Sequence, residues 1–199
     1  MPEPAPATTA VVLCGGASRR MGADKTAATL GATTVLDHLL DALPAAWPVV
    51  AVGPERPTRR VVRWTRESPP GGGPVAAVAA GLSLVDTELV VVLAGDMPFA
   101  AGTAARLAAL LQVDRTTDAV VAVDPSRRAN PLLAAYRSAA LRAALPHPPA
   151  NAPARSLLAV PHIMVSVDEA DSLDVDTPEA LAAALRSAAW TDERGPVQG

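Results

Sequence analysis

The chain has 199 residues and a formal net charge of −3; half of its residues are hydrophobic, yet only 3% are aromatic. This suits one domain whose core is built from Ala, Val and Leu, and it excludes a broad basic surface for nucleic acid or for an acidic membrane. The single cysteine, Cys14, excludes an intrachain disulfide and fits a reducing, cytoplasmic setting, and no apolar run approaches the roughly 20 residues that cross a bilayer.

In chain order, residues 1–8 are expected to form a Pro-rich disordered tail without the basic start and apolar core of a signal peptide. A buried strand is predicted at about 10–14 (Ala10, Val11, Val12, Leu13), with Cys14 at its end as a small buried hydrophobe. It runs into Gly15 and Gly16, then Ser18, Arg19 and Arg20, a second turn at Gly22, and Lys25. An apolar strand entering a glycine turn presents backbone N–H groups at the carboxyl end of an open α/β sheet. Glycines admit a phosphate close to the backbone, and the three cations on this loop make a polyphosphate its natural guest. The spacing is not that of a Walker loop, because five residues lie between Gly16 and Gly22 and Lys25 stands three positions after Gly22. Nor is it the dinucleotide fingerprint, whose third glycine is absent.

Thr26 to Leu30 is predicted as a short strand ending at Gly31. Residues 34–43 carry Val35, Leu36, Leu39, Leu40 and Leu43 at helical spacing, with His38 on the polar, solvated side. Strands are predicted at Val49–Gly53 and Arg60–Thr65. The Pro/Gly-rich loop Glu67–Pro74 follows, then a helix at about 75–85 whose alanines allow close packing on the sheet. Glu88–Ala94 is the most apolar segment and the predicted central strand; it runs directly into Gly95-Asp96-Met97-Pro98. A helix is predicted at about 101–112, strands at 118–123 and 131–136, and a helix at 137–145. A Pro-rich break at 146–153 leads to a short helix at 155–160 and a strand at 163–167. Thr177 and Pro178 supply a hydroxyl N-cap and a proline at the first position of a helix running to about 189, before a frayed tail at 191–199. The alternation of strands and helices without repeat predicts one α/β domain over 9–190 with a largely parallel sheet.

Asp96 ends the central strand, where the carboxyl ends of parallel strands face a ligand crevice. Mg²⁺ is commonly held by one or two carboxylates plus substrate phosphates, so Asp96 is the first candidate ligand. Asp174 and Asp176 lie on one extended segment, and at most one of them is expected to face the site. Asp176, nearer the helix start, is the second candidate. No Ser-His-Asp pattern is visible, His147 and His162 adjoin prolines in loops, and no Cys/His cluster could hold zinc.

These residues resemble a known family. With Gly15, Gly16, Ser18, Arg20, Met21, Gly22, Asp24 and Lys25 in the first loop, AGDMPF at 94–99 and DVDTPEAL at 174–181, the sequence is similar to the molybdenum cofactor guanylyltransferases of the nucleoside-triphosphate transferase superfamily. Gly73-Pro74 followed by Gly81 resembles the family's G-P-L-A-G segment, and Asn130-Pro131-Leu132 its Q-P-L segment near the acceptor. Two positions depart: Glu67-Ser68 stands where an Asp is often found, and Asn130 where Gln is usual.

The resemblance implies a three-layer α/β sandwich with a mostly parallel, Rossmann-like sheet of the nucleotidyltransferase type. It implies transfer of GMP from Mg-GTP to the phosphate of molybdopterin, with release of pyrophosphate. Partners would be other molybdenum cofactor biosynthesis proteins and acceptor molybdoenzymes, without nucleic acid or membrane. The nucleotide would meet Leu13, Cys14, Gly15, Gly16, Ser18, Arg20, Gly22, Lys25, Glu67 and Asp96. Arg20, Lys25 and Asp96 would be catalytic, Asp96 and Asp176 would hold Mg²⁺, and Asn130 and Arg155 would face the acceptor. A phosphate monoester is already ionised at neutral pH, its second pKa being about 6, so no general base is required. Guanine offers two adjacent donors that one carboxylate accepts, and Glu67 is placed to do so; cytosine offers it one. The competing expectations are a cytidylyltransferase for the same pterin, another nucleotidyltransferase, or an inactive nucleotide-binding paralogue.

Overall fold

The structure, a computed structural model, describes residues 7–15, 25–168, 173–175, 177, 179–182 and 184–185. The strands are β1 (Thr8–Leu13), β2 (Thr29–Leu30), β3 (Thr33–Thr34), β4 (Val49–Val52), β5 (Arg63–Thr65), β6 (Leu89–Ala94), β7 (Ala119–Val123), β8 (Ala129–Arg137) and β9 (His162–Ser166). The helices are α1 (Val35–Ala42), α2 (Gly73–Leu82), α3 (Ala101–Val113) and α4 (Ser138–Ala144), with 3-10 turns at Lys25–Ala27 and Ala154–Ala159.

Runs of Val, Leu and Ala that are buried on both faces make strands when helices cover both sides of a sheet. β1, β4 and β7 are buried along their whole length, as is β6 up to its last residue. They belong to a seven-stranded sheet ordered β5-β4-β1-β6-β8-β7-β9, with β6 in the middle as its composition predicts. Side chains alternate across it. Ala10 and Val12 of β1 join Leu36, Leu39 and Leu40 of α1 and Leu107 and Leu111 of α3 on one face. Val11 and Leu13 join Val75, Val78 and Leu82 of α2, Leu141 of α4 and Leu157 on the other. The result is the expected three-layer α/β sandwich.

Small residues let α2 lie close. A Cβ at Gly81 would fall 2.5 Å from Cγ1 of Val11, inside contact distance, so only a glycine lets this turn of α2 rest on β1. The start of α1 is capped by Thr34, whose hydroxyl oxygen accepts from the Asp37 amide at 3.0 Å. Its end is closed by Arg60, whose guanidinium donates to the carbonyls of Leu40, Leu43, Pro44, Ala45 and Trp47. Thr177 behaves as its sequence context predicts: its hydroxyl accepts from the Ala180 amide at 3.1 Å, and residues 179–182 and 184–185 are helical.

Several elements differ from the sequence reading. β1 begins at Thr8, two residues early and inside the expected tail, because Thr8 pairs with Leu89 of β6. The Thr26–Leu30 stretch divides: Lys25–Ala27 is a 3-10 turn, and β2 forms a tight hairpin with β3 around Gly31 at φ +60°. β5 is shorter than predicted, because Arg60 is drawn to the end of α1 and Val61 is turned out to solvent, 93% exposed. His38 is half-buried instead of solvated, its ring meeting Phe99 edge-on with centroids 5.3 Å apart. β8 runs antiparallel to both β6 and β7. The connection from β7 is a tight turn in which Asp124 and Arg128 bond across and Arg127 takes φ +62°, so the chain reverses without a crossover helix. Among the described residues no helix is long and apolar enough to cross a membrane.

Candidate functional site

Parallel strands in register carry their following segments to the same edge of a sheet. Leu13 is level with Val52 of β4 and Ala94 of β6, and Val52 is level with Thr65 of β5. The ladder continues past the strands: the Cys14 amide donates to Val52 at 2.8 Å, the Gly53 amide to Thr65 at 2.9 Å, and the Gly95 amide to Leu13 at 2.9 Å. Cys14-Gly15, Gly53–Arg56, Arg66-Glu67 and Gly95–Pro98 therefore leave the sheet along one rim. Gly53 has φ +151°, and a Cβ there would lie 2.8 Å from both the Cys14 carbonyl carbon and the Gly15 nitrogen. The glycine is required for the β4 loop to press against the start of the β1 loop.

Of the sequence-predicted loop, Gly16, Ser18, Arg20 and Gly22 lie outside the described residues, as do Asp176 and the side chain of Lys25. Both ends of the loop are described. Gly15 stands two residues past the end of β1, and at the other end Thr26 is buried with its methyl 3.3 Å from where a Gly95 Cβ would stand. The residue after Gly95 is Asp96. The glycine turn and the central-strand aspartate thus share one rim.

Asp96 is half-buried in the turn that ends β6, and its carbonyl accepts the Val175 amide at 2.8 Å. That bond brings the 173–175 segment to the rim. Val175 is fully buried beside Leu30, Val35 and Phe99, while Asp174 next to it is exposed. Asn130 also arrives here, because β8 runs the opposite way and starts where β6 ends. Its amide group contacts the Met97 sulfur at 3.9 Å, and its side-chain oxygen accepts the Leu132 amide at 2.9 Å. Arg155 is exposed on the 3-10 turn Ala154–Ala159, which packs against β8, α2 and α4. Among the described residues no three His, Cys, Asp or Glu side chains cluster as a metal centre. Mg²⁺ does not demand one; it takes hard oxygens from one or two carboxylates together with phosphate and water. Asp96 fits that requirement.

Glu67 projects over the start of the loop. Its Oε1 accepts the Gly71 amide at 2.9 Å and lies 4.0 Å from where a Gly15 Cβ would be. Its Oε2 is buried and has no hydrogen-bond partner among the described residues. A buried carboxylate oxygen left unsatisfied beside a binding loop marks a place for a donor. The backbone groups of Leu13 and Cys14 are more committed than the sequence suggests. The Leu13 carbonyl and Cys14 amide complete the sheet ladder, and the Cys14 carbonyl accepts from Arg56 at 3.2 Å.

Arg56 is the rim residue that sequence reasoning missed. Gly53-Pro54-Glu55-Arg56 reads as a turn, and the signal was the cation's position four residues past a strand's carboxyl end. Behind the Asp96 turn stand Phe99 and His38; burial lowers the pKa of His38, against an opposing pull from Asp41.

Residues 10–170 match the family model of the MobA-like NTP transferase domain. A protein of Rhizobium leguminosarum bv. trifolii named "Molybdenum cofactor guanylyltransferase" is 38% identical over 107 residues, 51% of this chain and 51% of that protein. The chain thus spans about half the length of that relative. A Mycobacterium tuberculosis protein named "Probable molybdenum cofactor guanylyltransferase" is 35% identical over 137 residues, 64% of this chain and 67% of that one. The crystal structure of molybdopterin-guanine dinucleotide biosynthesis protein A from Archaeoglobus fulgidus matches with a TM-score of 0.72, covering 92% of this chain and 99% of that one. At 22% identity this last likeness speaks to the fold alone.

Proposed function

We propose that this chain, which belongs to the MobA-like NTP transferase family and is a nucleotidyltransferase, transfers GMP from GTP to the terminal phosphate of molybdopterin and releases pyrophosphate. The observation that carries the reading is the shared rim: Leu13 pairs with Ala94, so Gly15 and Asp96 each stand two residues beyond the same rung. A triphosphate lying across the glycine turn then has a carboxylate within the same crevice.

Each residue has a part in this proposal. The backbone from Gly15 onward receives the phosphates. Arg20 and Lys25 offset charge on the departing pyrophosphate. Asp96, with Asp176 as the second carboxylate, would hold Mg²⁺. When bound, that ion supplies charge neutralisation on the triphosphate oxygens. Asn130, beside Met97, and the exposed Arg155 would be the residues that meet the acceptor. The acceptor phosphate is already an anion, so catalysis consists of alignment and electrostatics. This agrees with His38 being packed against Phe99 with its pKa lowered.

Guanine is the preferred base in this reading because of Glu67. The unsatisfied Oε2, with Oε1 beside it, would accept the two adjacent N–H donors of guanine. The reading carries with it a cytoplasmic site of action, and as partners the proteins that make molybdenum cofactor and the molybdoenzymes that receive it.

The test is pyrophosphate release by the purified chain given molybdopterin, Mg²⁺ and either GTP or CTP. Faster release from GTP is expected. Equal or faster release from CTP would transfer the assignment to a cytidylyltransferase, and none from any nucleoside triphosphate would end the enzymatic reading.

A further inference from the structure

We propose that Arg56 is a positioning residue: it ties together the two ends of the Gly15–Lys25 loop and so fixes the mouth into which a triphosphate fits. This deepens, and rests on, the reading of that loop as a triphosphate cradle. The guanidinium donates through Nη2 to the Cys14 carbonyl at 3.2 Å and through Nη1 to the Thr26 hydroxyl at 2.6 Å. Cys14 is the last residue before the loop's first glycine, and Thr26 is the first after its lysine. One planar group therefore spans both banks of the loop. Its own placement is fixed from behind, with Nε donating to the Pro54 carbonyl at 3.3 Å and the Trp64 ring 6.0 Å from the guanidinium carbon.

Only an arginine does this. Its fork presents donors in two directions from a rigid plane and stacks on an aromatic ring, whereas a lysine is a point charge on a flexible stem. The far bank matters because Thr26 is buried against Gly95, which precedes Asp96. Arg56 thereby sets the loop's exit relative to the aspartate as well as to β1. Holding Cys14 and Thr26 in place before the nucleotide arrives lowers the ordering cost of binding, and that saving appears as affinity. The clamp is in place before and throughout the reaction, so its loss weakens ground state and transition state alike.

The experiment is equilibrium titration of the full chain with Mg-GTP, and of the wild type also with Mg-CTP, Mg-UTP and Mg-ATP. Arg56→Lys keeps the charge and removes the fork; Thr26→Val keeps the shape and removes the acceptor. Each is expected to weaken Mg-GTP binding by about tenfold. The double variant should bind no more weakly than Arg56→Lys alone, because the Thr26 change removes a bond that Arg56→Lys has already lost. In turnover KM rises while kcat stays within about twofold. Arg60→Ala, which loosens α1 away from the rim, should lose stability and keep its affinity. Wild-type affinity in Arg56→Lys, or additive losses in the double variant, would overturn the proposal. A wild type that binds none of the four nucleotides fails at the prior step: it removes the triphosphate reading itself, and this inference with it. Should Arg56→Ala fail to fold, the lysine and Thr26 variants still decide.

Discussion

The amide of Val175 donates to the carbonyl of Asp96 at 2.8 Å, joining residues 79 positions apart in the chain (175 − 96). The bond uses only the backbone of Asp96, so the side chain can be changed without releasing the 173–175 segment. Asp96→Asn should therefore keep the 173–175 segment in place and lose pyrophosphate release by at least on the order of a hundredfold. Activity within a few-fold of wild type, measured in saturating Mg²⁺, would show that this carboxylate holds no part of the reaction.

Glu67 offers a sharper test of base choice. A carboxylate accepts two hydrogen bonds, whereas a carboxamide accepts one and donates one. Glu67→Gln keeps an oxygen for the Gly71 amide and places a donor where Oε2 now lies unsatisfied. Cytosine, with an acceptor next to its amino donor, suits that pattern better than guanine does. The ratio of kcat/KM for GTP over CTP should fall by about tenfold, and in Glu67→Ala it should fall towards unity. An unchanged ratio in both variants would remove Glu67 from recognition.

Arg60 is a matter of stability. Five backbone carbonyls around the end of α1 share its guanidinium, and burial lowers its pKa against an opposing pull from Asp41. Arg60→Ala leaves several of those carbonyls unsatisfied and should lower unfolding free energy by about 2–3 kcal/mol. Urea titration measures it, and a loss below ~0.5 kcal/mol would mean that water replaces the arginine.

His38 predicts a pH dependence with a definite sign. Burial sets its pKa below the ordinary 6.5 in the folded chain. Above 6.5 it is neutral in both states and makes no pH-dependent contribution. As pH falls through 6.5 the unfolded chain takes up the proton first, so stability declines until the folded pKa is reached. His38→Phe keeps an aromatic ring against Phe99 and removes the proton. Its denaturation midpoint should fall less than that of the wild type across this window; parallel curves would show that His38 titrates alike in both states.

Much of this architecture was legible in single residues. Ala10–Leu13 and Leu89–Leu93 are apolar at every position, which only a strand covered on both faces tolerates. Asp96 and Gly15 could be placed on one edge because each follows such a strand. What stayed hidden depends on partners distant in sequence. Arg56 meets Cys14 and Thr26 across 42 and 30 residues, and nothing near it announces either contact. The buried face of His38 exists because Phe99, 61 positions later (99 − 38), arrives from another element. The reversal of β8 was written locally, in the Asp124-Pro125 turn, but a strand looks alike read in either direction.

That reversal divides the crevice by origin. The side holding Gly15, Gly53, Arg56 and Glu67 is made of segments that leave strands, whereas Asn130 belongs to a strand that is entering. Lengthening or shortening the five-residue stretch Asp124–Arg128 would slide Asn130 along Met97 and leave every bond among Cys14, Thr26 and Arg56 untouched. The molecule is built so that one wall of its cleft can be retailored while the opposite wall keeps its shape.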